Sequence, residues 1–305
     1  MQLIRGLHNL KDELLRGSVV TIGNYDGVHL GHQEIISFVK RKSHELNLPS
    51  VVVIFEPQPE EFFTNDKSQR LTSIREKILL LGKYGIDKVL LLPFNAHFAA
   101  VTAEEFITEI LVNSLQVRYL VVGDDFVFGH GRCGNFSLLE KQAAISKFQA
   151  TEMPSFKIGG VRVSSSLIRA ALATGDFSLA EKFLGRPYEV SGRVVHGTHL
   201  GRALGFPTAN IYLRWRELPF TGVYLVKVHD LAQVSLLGLV NIGFRPTVSG
   251  KQKSFEVYIL DFNSDIYHKR ITVEFVKKIR EEQKFNTLAD LQSQIENDLL
   301  VARGL

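Results

Sequence analysis

The stretch SVVTIGNYDGVHLGHQEIISFVKRKSHEL, residues 18–46, changes periodicity within a single turn. Ser18–Ile22 is β-branched, ends at Gly23 and reads as a strand. From Gly31 to Leu46 the apolar positions Ile35, Ile36, Val39 and Leu46 recur at helical spacing. A strand that feeds a helix through a glycine-containing turn sets backbone N–H groups and the positive end of the helix beyond the strand's carboxyl end, a geometry that suits phosphate. His29 and His32 stand three apart at the helix entrance, where they can point the same way. Imidazoles there can donate to phosphate oxygens and stabilise charge that develops during group transfer. Taken alone, the pair also fits a metal pair or a partly exposed helix start, although no third ligand is evident nearby.

Working outward, Ser50–Phe55 is a nearly continuous apolar run, as expected of a strand covered on both faces. Lys88–Leu92 and Arg118–Val122 also read as strands, and Ser73–Tyr84, Ala103–Leu115 and Phe136–Phe148 as helices. This alternation predicts an α/β unit with a parallel sheet and crossover helices. Ligands of such sheets bind past the carboxyl ends of the strands. The polar segments Gly23–His32, Glu56–Phe63 and Gly123–Arg132 each follow a predicted strand, so they are expected to converge on one crevice. Ser164–Ala173 and Phe177–Leu184 read as a closing helix pair, with Gly175 in the turn. After Gly185-Arg186-Pro187 the period changes: Tyr188–Val195, Thr208–Leu213, Val223–Val228, Ser235–Asn241, Phe255–Phe262 and His268–Phe275 all read as strands. Such runs predict an antiparallel barrel or sandwich. A final helix over about Leu288–Ala302 carries the stripe Leu288, Leu291, Ile295 and Leu299, with Thr287 as its N-cap. The expected domains are residues 1–185 and 186–305.

Composition narrows the classes of function. The chain has 305 residues, 45% of them apolar, enough for a core in each half. A net charge of +4 fits phosphate-bearing ligands, while no basic tract interleaved with aromatics points to nucleic acid. The single cysteine, Cys133, excludes an internal disulfide and a cysteine-based metal site. Neither a signal-peptide pattern nor a run of membrane-spanning length is present. A cytoplasmic protein with no nucleic-acid or membrane partner is expected; oligomeric state is left open.

His29-Leu30-Gly31-His32 after a strand resembles the HxGH signature of the nucleotidyltransferase superfamily. The wider string GNYDGVHLGHQ is similar to the FMN adenylyltransferase module of bacterial bifunctional flavin synthetases. So are FEPQPEEFF (55–63), VVGDDFVFGHGRCGN (121–135) and VSSSLIR (163–169). The resemblance implies a Rossmann-like domain in which His29 and His32 contact ATP phosphates, with Gly23, Asn24 and Asp26 in the same ATP-binding turn. It further implies that Ser164, Ser165 or Ser166 caps a helix while Arg169 grips the triphosphate, a pairing that suits an anion. On the flavin side it implies Asp125 at the isoalloxazine edge and Phe62 and Phe128 as stacking surfaces. Gln58 stands where the family usually has histidine, and Tyr25 where it has phenylalanine.

In the second half, GRVVHGTHLGRALGFPTAN (192–210) holds Gly192, Gly197, Gly201 and Gly205. Backbone amides of a glycine-rich loop can wrap phosphates, but the Walker spacing is absent, and glycines alone fit a pair of β-turns. Its end, FPTAN, resembles the riboflavin kinase signature. GVY (222–224), NIGFRPT (241–247), FEVYILDFNSDIY (255–267) and VEFVKKIREEQKF (273–285) match as well. The resemblance implies that Thr208 and Asn210 organise Mg2+ and the ATP phosphates, that Gly197, Gly201 and Gly205 belong to the ATP loop, that Glu256 is the general base, and that Arg280 and Glu282 close over flavin. Phe244 replaces the usual threonine and Glu281 the usual proline. With both halves in the family's order from about Val19 to Leu299, the implied reactions are riboflavin + ATP → FMN + ADP and FMN + ATP → FAD + pyrophosphate. ATP is the co-substrate and Mg2+ the cofactor of both; the partners are the small molecules riboflavin, FMN and ATP. The Gln58 departure raises a rival in which only one activity is live; a nucleotidyltransferase acting on a phosphorylated metabolite other than FMN is a second rival, against which the kinase-like second half argues, and a flavin- or nucleotide-binding regulator that has lost catalysis is a third.

Overall fold

The computed structural model describes residues 1–10, 14, 16–64, 70–197, 201, 204–213, 218–247 and 250–304, without the side chains of 244–247 and 250–253. The chain divides into two compact units, Met1–Ser68 with Thr72–Ser165, and Gln69–Leu71 with Ser166–Leu305.

The first unit is built on strands β1 (Gln2–Arg5), β2 (Ser18–Ile22), β3 (Ser50–Glu56), β4 (Lys88–Pro93), β5 (Val117–Gly123) and β6 (Gln149–Met153). They form one sheet in the order β1-β4-β3-β2-β5-β6, every pair parallel. Alternate residues of the central strands feed two cores, one on each face. Val20, Ile22, Val51, Val53, Phe55, Leu120 and Val122 pack with Ile107, Leu111 and Leu139. Val19, Val52, Ile54, Tyr119 and Val121 pack with Ile36, Val39 and Leu81. Burial on both faces explains why the central strands read as unbroken apolar runs. The edge strands escaped sequence reading for the converse reason: β6 is QATEM with no fully buried residue, and β1 has four residues.

Helix α1 (Leu30–Leu46) follows β2; α2 (Pro59–Thr64) and α3 (Ile74–Lys83) follow β3. After β4, α4 (Ala96–Ala99) and α5 (Ala103–Glu105) precede a π-helix over Phe106–Ser114, and α6 (Phe136–Ser146) joins β5 to β6. The π-helix departs from the expected α-helix over Ala103–Leu115. The Leu115 amide reaches back five residues to the Ile110 carbonyl, and the wider turn still buries Phe106, Ile107, Ile110 and Leu111 on one face.

The second unit holds α7 (Ser165–Ala173) from Ser166 onward, α8 (Phe177–Leu184) and a six-stranded closed barrel of β9 (Glu189–Val195), β10 (Thr208–Tyr212), β11 (Gly222–His229), β12 (Leu236–Thr247), β13 (Gly250–Ile259) and β14 (Arg270–Arg280). The barrel order is β10-β13-β12-β11-β14-β9. Strand β9 pairs antiparallel with both β10 and β14, which closes the sheet and decides barrel over sandwich. Phe177 of α8 stacks on Phe275 and meets Phe220 and Tyr224 edge-on. Helix α9 (Leu288–Arg303), capped by Thr287 accepting from the Asp290 amide, packs through Leu299 and Ala302 against Val223, Leu225 and Leu239. Its expected stripe is corrected at one position: Leu288, in the first turn, is 58% exposed, while Asp298 and Ala302 are buried. The axis of the packed face is therefore set nearer the carboxyl end than the apolar pattern alone indicates.

Candidate active sites

The turn between β2 and α1 holds Tyr25 (φ 47°), Gly27 (φ 80°) and Val28 (φ 41°) in left-handed conformations. A β-branched residue there is strained, at a cost of roughly 1–3 kcal/mol, and persists because its surroundings fix it. Val28 is fully buried, and the buried Tyr25 hydroxyl shares a 2.7 Å hydrogen bond with Thr21. The Asp26 carboxylate accepts from the Thr72 amide and hydroxyl at 3.1 and 3.2 Å, and the Gly27 amide donates to the same hydroxyl. Buried Lys77 donates to the Asn24 carbonyl, and the Ser165 hydroxyl donates to the Asp26 carbonyl at 2.9 Å. Asp26 therefore shapes the turn through Thr72. Gly23 and Asn24 lead into that turn at the carboxyl end of β2.

This framework delivers the two histidines. His29 caps α1: its Nδ1 accepts from the His32 amide at 3.3 Å, which leaves Nε2 to carry the proton of the neutral ring. The rings of His29 and His32 stack with centroids 3.7 Å apart, and Tyr25 lies 4.8 Å from His32. Burial, then His29, then the Lys77 ammonium hold the His32 imidazole well below its usual pKa. His32 is thus a neutral ring at physiological pH, and its buried Nδ1 has no hydrogen-bond partner. The buried Nε2 of Gln58, in the segment after β3, has none either.

Around the expected flavin side, Asp124 accepts from the Ser155 amide and hydroxyl, which, ahead of Arg162, lowers its pKa. Asp125 is exposed and pairs with Arg162 at 2.6 Å. Phe62 is half-buried, 5.5 Å from Phe94. Phe128 is a core ring, 6% exposed, set between Phe106 and Phe126 and against Gly134. Stacking on a flavin would require that cover to open. Ser164 precedes α7; Ser166 and Arg169 lie a turn apart on it, with the guanidinium 3.5 Å from the Ser166 hydroxyl.

In the barrel, register brings Asn210, Glu256 and Asn241 opposite one another on β10, β13 and β12. Cross-strand partners share a face, so the three side chains form one row, while Phe255 and Val257 enter the core. The Thr208 hydroxyl donates to the Glu256 carboxylate at 3.3 Å. Two cavities meet at Thr208. One, about 250 Å³, is lined by Pro207, Ala209, Phe262, Asn263 and Tyr267. The other, about 340 Å³, is lined by Glu256, Asn241, Arg280, Glu282, Phe285 and Ile295. Arg280 makes a bidentate pair with buried Asp298 on α9, donates to the Glu281 carbonyl and covers the Phe285 ring. The glycines serve close approach. A Cβ at Gly197 would fall 2.2 Å from the Asn210 amide nitrogen, and one at Gly201 would fall 2.4 Å from the Phe206 carbonyl. Gly205 has φ +86°. Glu281 pairs with Lys278. Residues 198–200, 202 and 203 of the glycine loop lie outside the described residues, as does the Phe244 side chain.

Two family models divide the chain as this geometry does: FAD synthetase over residues 11–167 and riboflavin kinase over residues 184–305. The bifunctional riboflavin kinase/FMN adenylyltransferase of Escherichia coli K12 is 49% identical over 99% of this chain and 97% of its own. The chain belongs to the bifunctional riboflavin kinase/FMN adenylyltransferase family. The bifunctional enzyme of Haemophilus influenzae is 46% identical over 100% of this chain and 99% of its own. A solved structure described as a macrolide-efflux protein from Streptococcus pneumoniae superposes with a TM-score of 0.83 over 99% of both chains at 29% identity. Among the described residues no helix is long and apolar enough to cross a membrane.

In the riboflavin kinase half, sequence reading missed Asn241 and Asp298. Asn241 alternates with buried Val240 and Ile242, which marks its face, but only strand register sets it opposite Glu256. In the FAD synthetase half it missed Lys77 and Thr72, whose relation to the β2 turn spans some fifty residues and has no local signature.

Proposed function

We propose that the barrel transfers the γ-phosphoryl group of ATP to the ribityl 5′-hydroxyl of riboflavin, and that the first unit transfers the adenylyl group of a second ATP to FMN, releasing pyrophosphate. The observation that carries the first reaction is the Asn210–Glu256–Asn241 row beside Thr208, where the two cavities meet. A nucleotide in the smaller cavity and riboflavin in the larger would bring the γ-phosphate and the hydroxyl together at Thr208. Glu256 would take the proton as the hydroxyl oxygen attacks. In the first unit, the Nε2–H of His29 and neutral His32 would donate to phosphate oxygens. Neither reaction needs a covalent enzyme intermediate; positioning and charge stabilisation suffice.

Mg2+ fits the barrel site. Thr208 offers a hydroxyl and Asn210 an amide oxygen, hard oxygen donors of the kind that magnesium shares with phosphates and water. Bound there, it would neutralise charge on the nucleotide phosphates. We place the functional division at 1–185 and 186–305, and a cytoplasmic setting agrees with the single cysteine.

The test is chromatographic separation of flavins after incubation with riboflavin, excess ATP and Mg2+, with parallel reactions started from FMN. FMN followed by FAD is the expected result. FMN with no FAD in either reaction would leave a kinase alone, and no product in both would favour another substrate or the regulator. Gly197→Ala should displace the Asn210 amide and lower riboflavin phosphorylation by about tenfold or more, with FAD formation from FMN unchanged. Equal kinetics in wild type and variant would dissociate Asn210 from phosphoryl transfer.

A further inference from the structure

Among the described residues, one group of three metal-ligating side chains has its ligand atoms within 4.8 Å of one another: Glu189, His229 and Glu274. Each comes from a different strand. The register sets Glu189 of β9 opposite Glu274 of β14, and Glu274 opposite Lys227 of β11, with His229 two residues further along β11. Their chain neighbours Val190, Val228, Val273 and Phe275 are buried in the barrel, so strand alternation turns all three side chains outward. In the ring of six strands β14 stands three places from β13, which puts the group on the wall opposite Glu256. Carboxylates directly opposed across a ladder repel, and the arrangement calls for cations. Lys227 supplies one, with Nζ 3.0 Å from one oxygen of Glu274, while His229 Nε2 lies 2.9 Å from the other. Burial acts to raise the Glu274 pKa, but the hydrogen bonds from Lys227 and His229 outweigh it and lower the value, so the carboxylate is ionised at neutral pH.

We propose that Glu189, His229 and Glu274 form a site for a divalent transition-metal ion such as zinc on the outer wall of the barrel, separate from the magnesium position at Thr208. One imidazole with two carboxylates suits zinc, cobalt or nickel, whereas magnesium and calcium favour oxygen donors alone. Zinc bonds of about 2.1 Å hold tetrahedral donors about 3.4 Å apart, and Glu189, exposed on β9, can swing through the remaining distance. A carboxylate oxygen only accepts, so Nε2 carries a hydrogen in its bond to Glu274. The ion takes that hydrogen's place between Nε2 and the Glu274 oxygen, and the neutral ring keeps its proton on Nδ1. Lys227 stays on the other oxygen, as outer hydrogen bonds to ligating carboxylates do. Water completes the coordination. The ion ties together β9, β14 and β11, and β9 is the strand through which the barrel closes.

The test is equilibrium dialysis of the full-length protein against Zn2+, with Mg2+ in large excess and no nucleotide. Wild type should bind one zinc more per chain than His229→Ala or Glu274→Gln, the latter keeping an oxygen for Lys227. In each variant the Kd of this site should rise about 100-fold or more, since loss of a ligand exceeds the 10- to 100-fold cost of losing an outer partner. Co2+ in place of zinc should give the visible absorption of a four-coordinate site in wild type and not in the variants. Zn2+ should raise the melting temperature of wild type and leave that of His229→Ala unmoved, because the ion binds the folded barrel. Without zinc, riboflavin phosphorylation and FAD formation from FMN should be the same in all three proteins. Equal zinc stoichiometry in wild type and His229→Ala would overturn the proposal. Zinc that excess Mg2+ displaces would overturn it too, and leave a charged surface with no preference among divalent ions. Should Glu274→Gln fail to fold, Glu189→Gln, at the exposed ligand, carries the same expectations.

Discussion

Glu256→Gln is expected to lower riboflavin phosphorylation by about 10²- to 10⁴-fold, the range lost with a general base, while FMN adenylylation is unchanged. The substitution keeps the size of the side chain and an oxygen able to accept from the Thr208 hydroxyl, now at 3.3 Å from the carboxylate. It removes only the capacity to take a proton. The fold should tolerate it, because the neighbours on β13, Phe255 and Val257, carry the core contacts and remain. Steady-state rates with riboflavin, with FAD formation from FMN as the internal control, make the measurement. The riboflavin KM should move little, since a base acts in the transition state. Normal kinase turnover in the variant would remove Glu256 from the mechanism.

His32→Ala should lower FAD synthesis from FMN by about 10²- to 10³-fold, as loss of a buried donor to developing charge does elsewhere, with riboflavin phosphorylation spared. Loss of both activities in a folded variant would argue against separate sites. The same side chain sets a pH dependence of stability. Its native pKa lies below the ordinary value of 6.5 because of burial, His29 and Lys77, so as the pH falls through that value the unfolded chain binds a proton that native His32 refuses. Stability from this group is present above pH 6.5 and declines below it, by up to about 2 kcal/mol at pH 5. Urea melts of wild type and His32→Ala at pH 7 and pH 5 should show a smaller acid loss in the variant. An equal loss would mean that His32 takes up its proton in the native state.

Much of this was legible in residues 18–46 and 192–210. The parallel sheet followed from β2 and β3 as apolar runs separated by an amphipathic helix, and the antiparallel half from short strands broken by turn residues. His29, His32, Thr208, Asn210 and Glu256 could be named because they sit within short motifs, where local spacing and chemistry coincide. Edge strands β1 and β6 were not legible, since a strand buried on few sides carries little apolar pattern. The π-helix after α5 was not either, since its hydrogen bonds differ from an α-helix by one residue while its apolar face is the same.

The order of elements, the two classes of fold and the motifs that carry chemistry could all be read from the chain, because each depends on residues near one another along it. Tertiary structure alone decided the closure of the barrel through β9, the Asn210–Glu256–Asn241 row, the protonation state of His32 beside Lys77, and the unmet amide of Gln58. Those depend on burial and on which distant strands lie side by side, and the free energy of a buried donor or charge is fixed by neighbours in space whatever their distance in sequence.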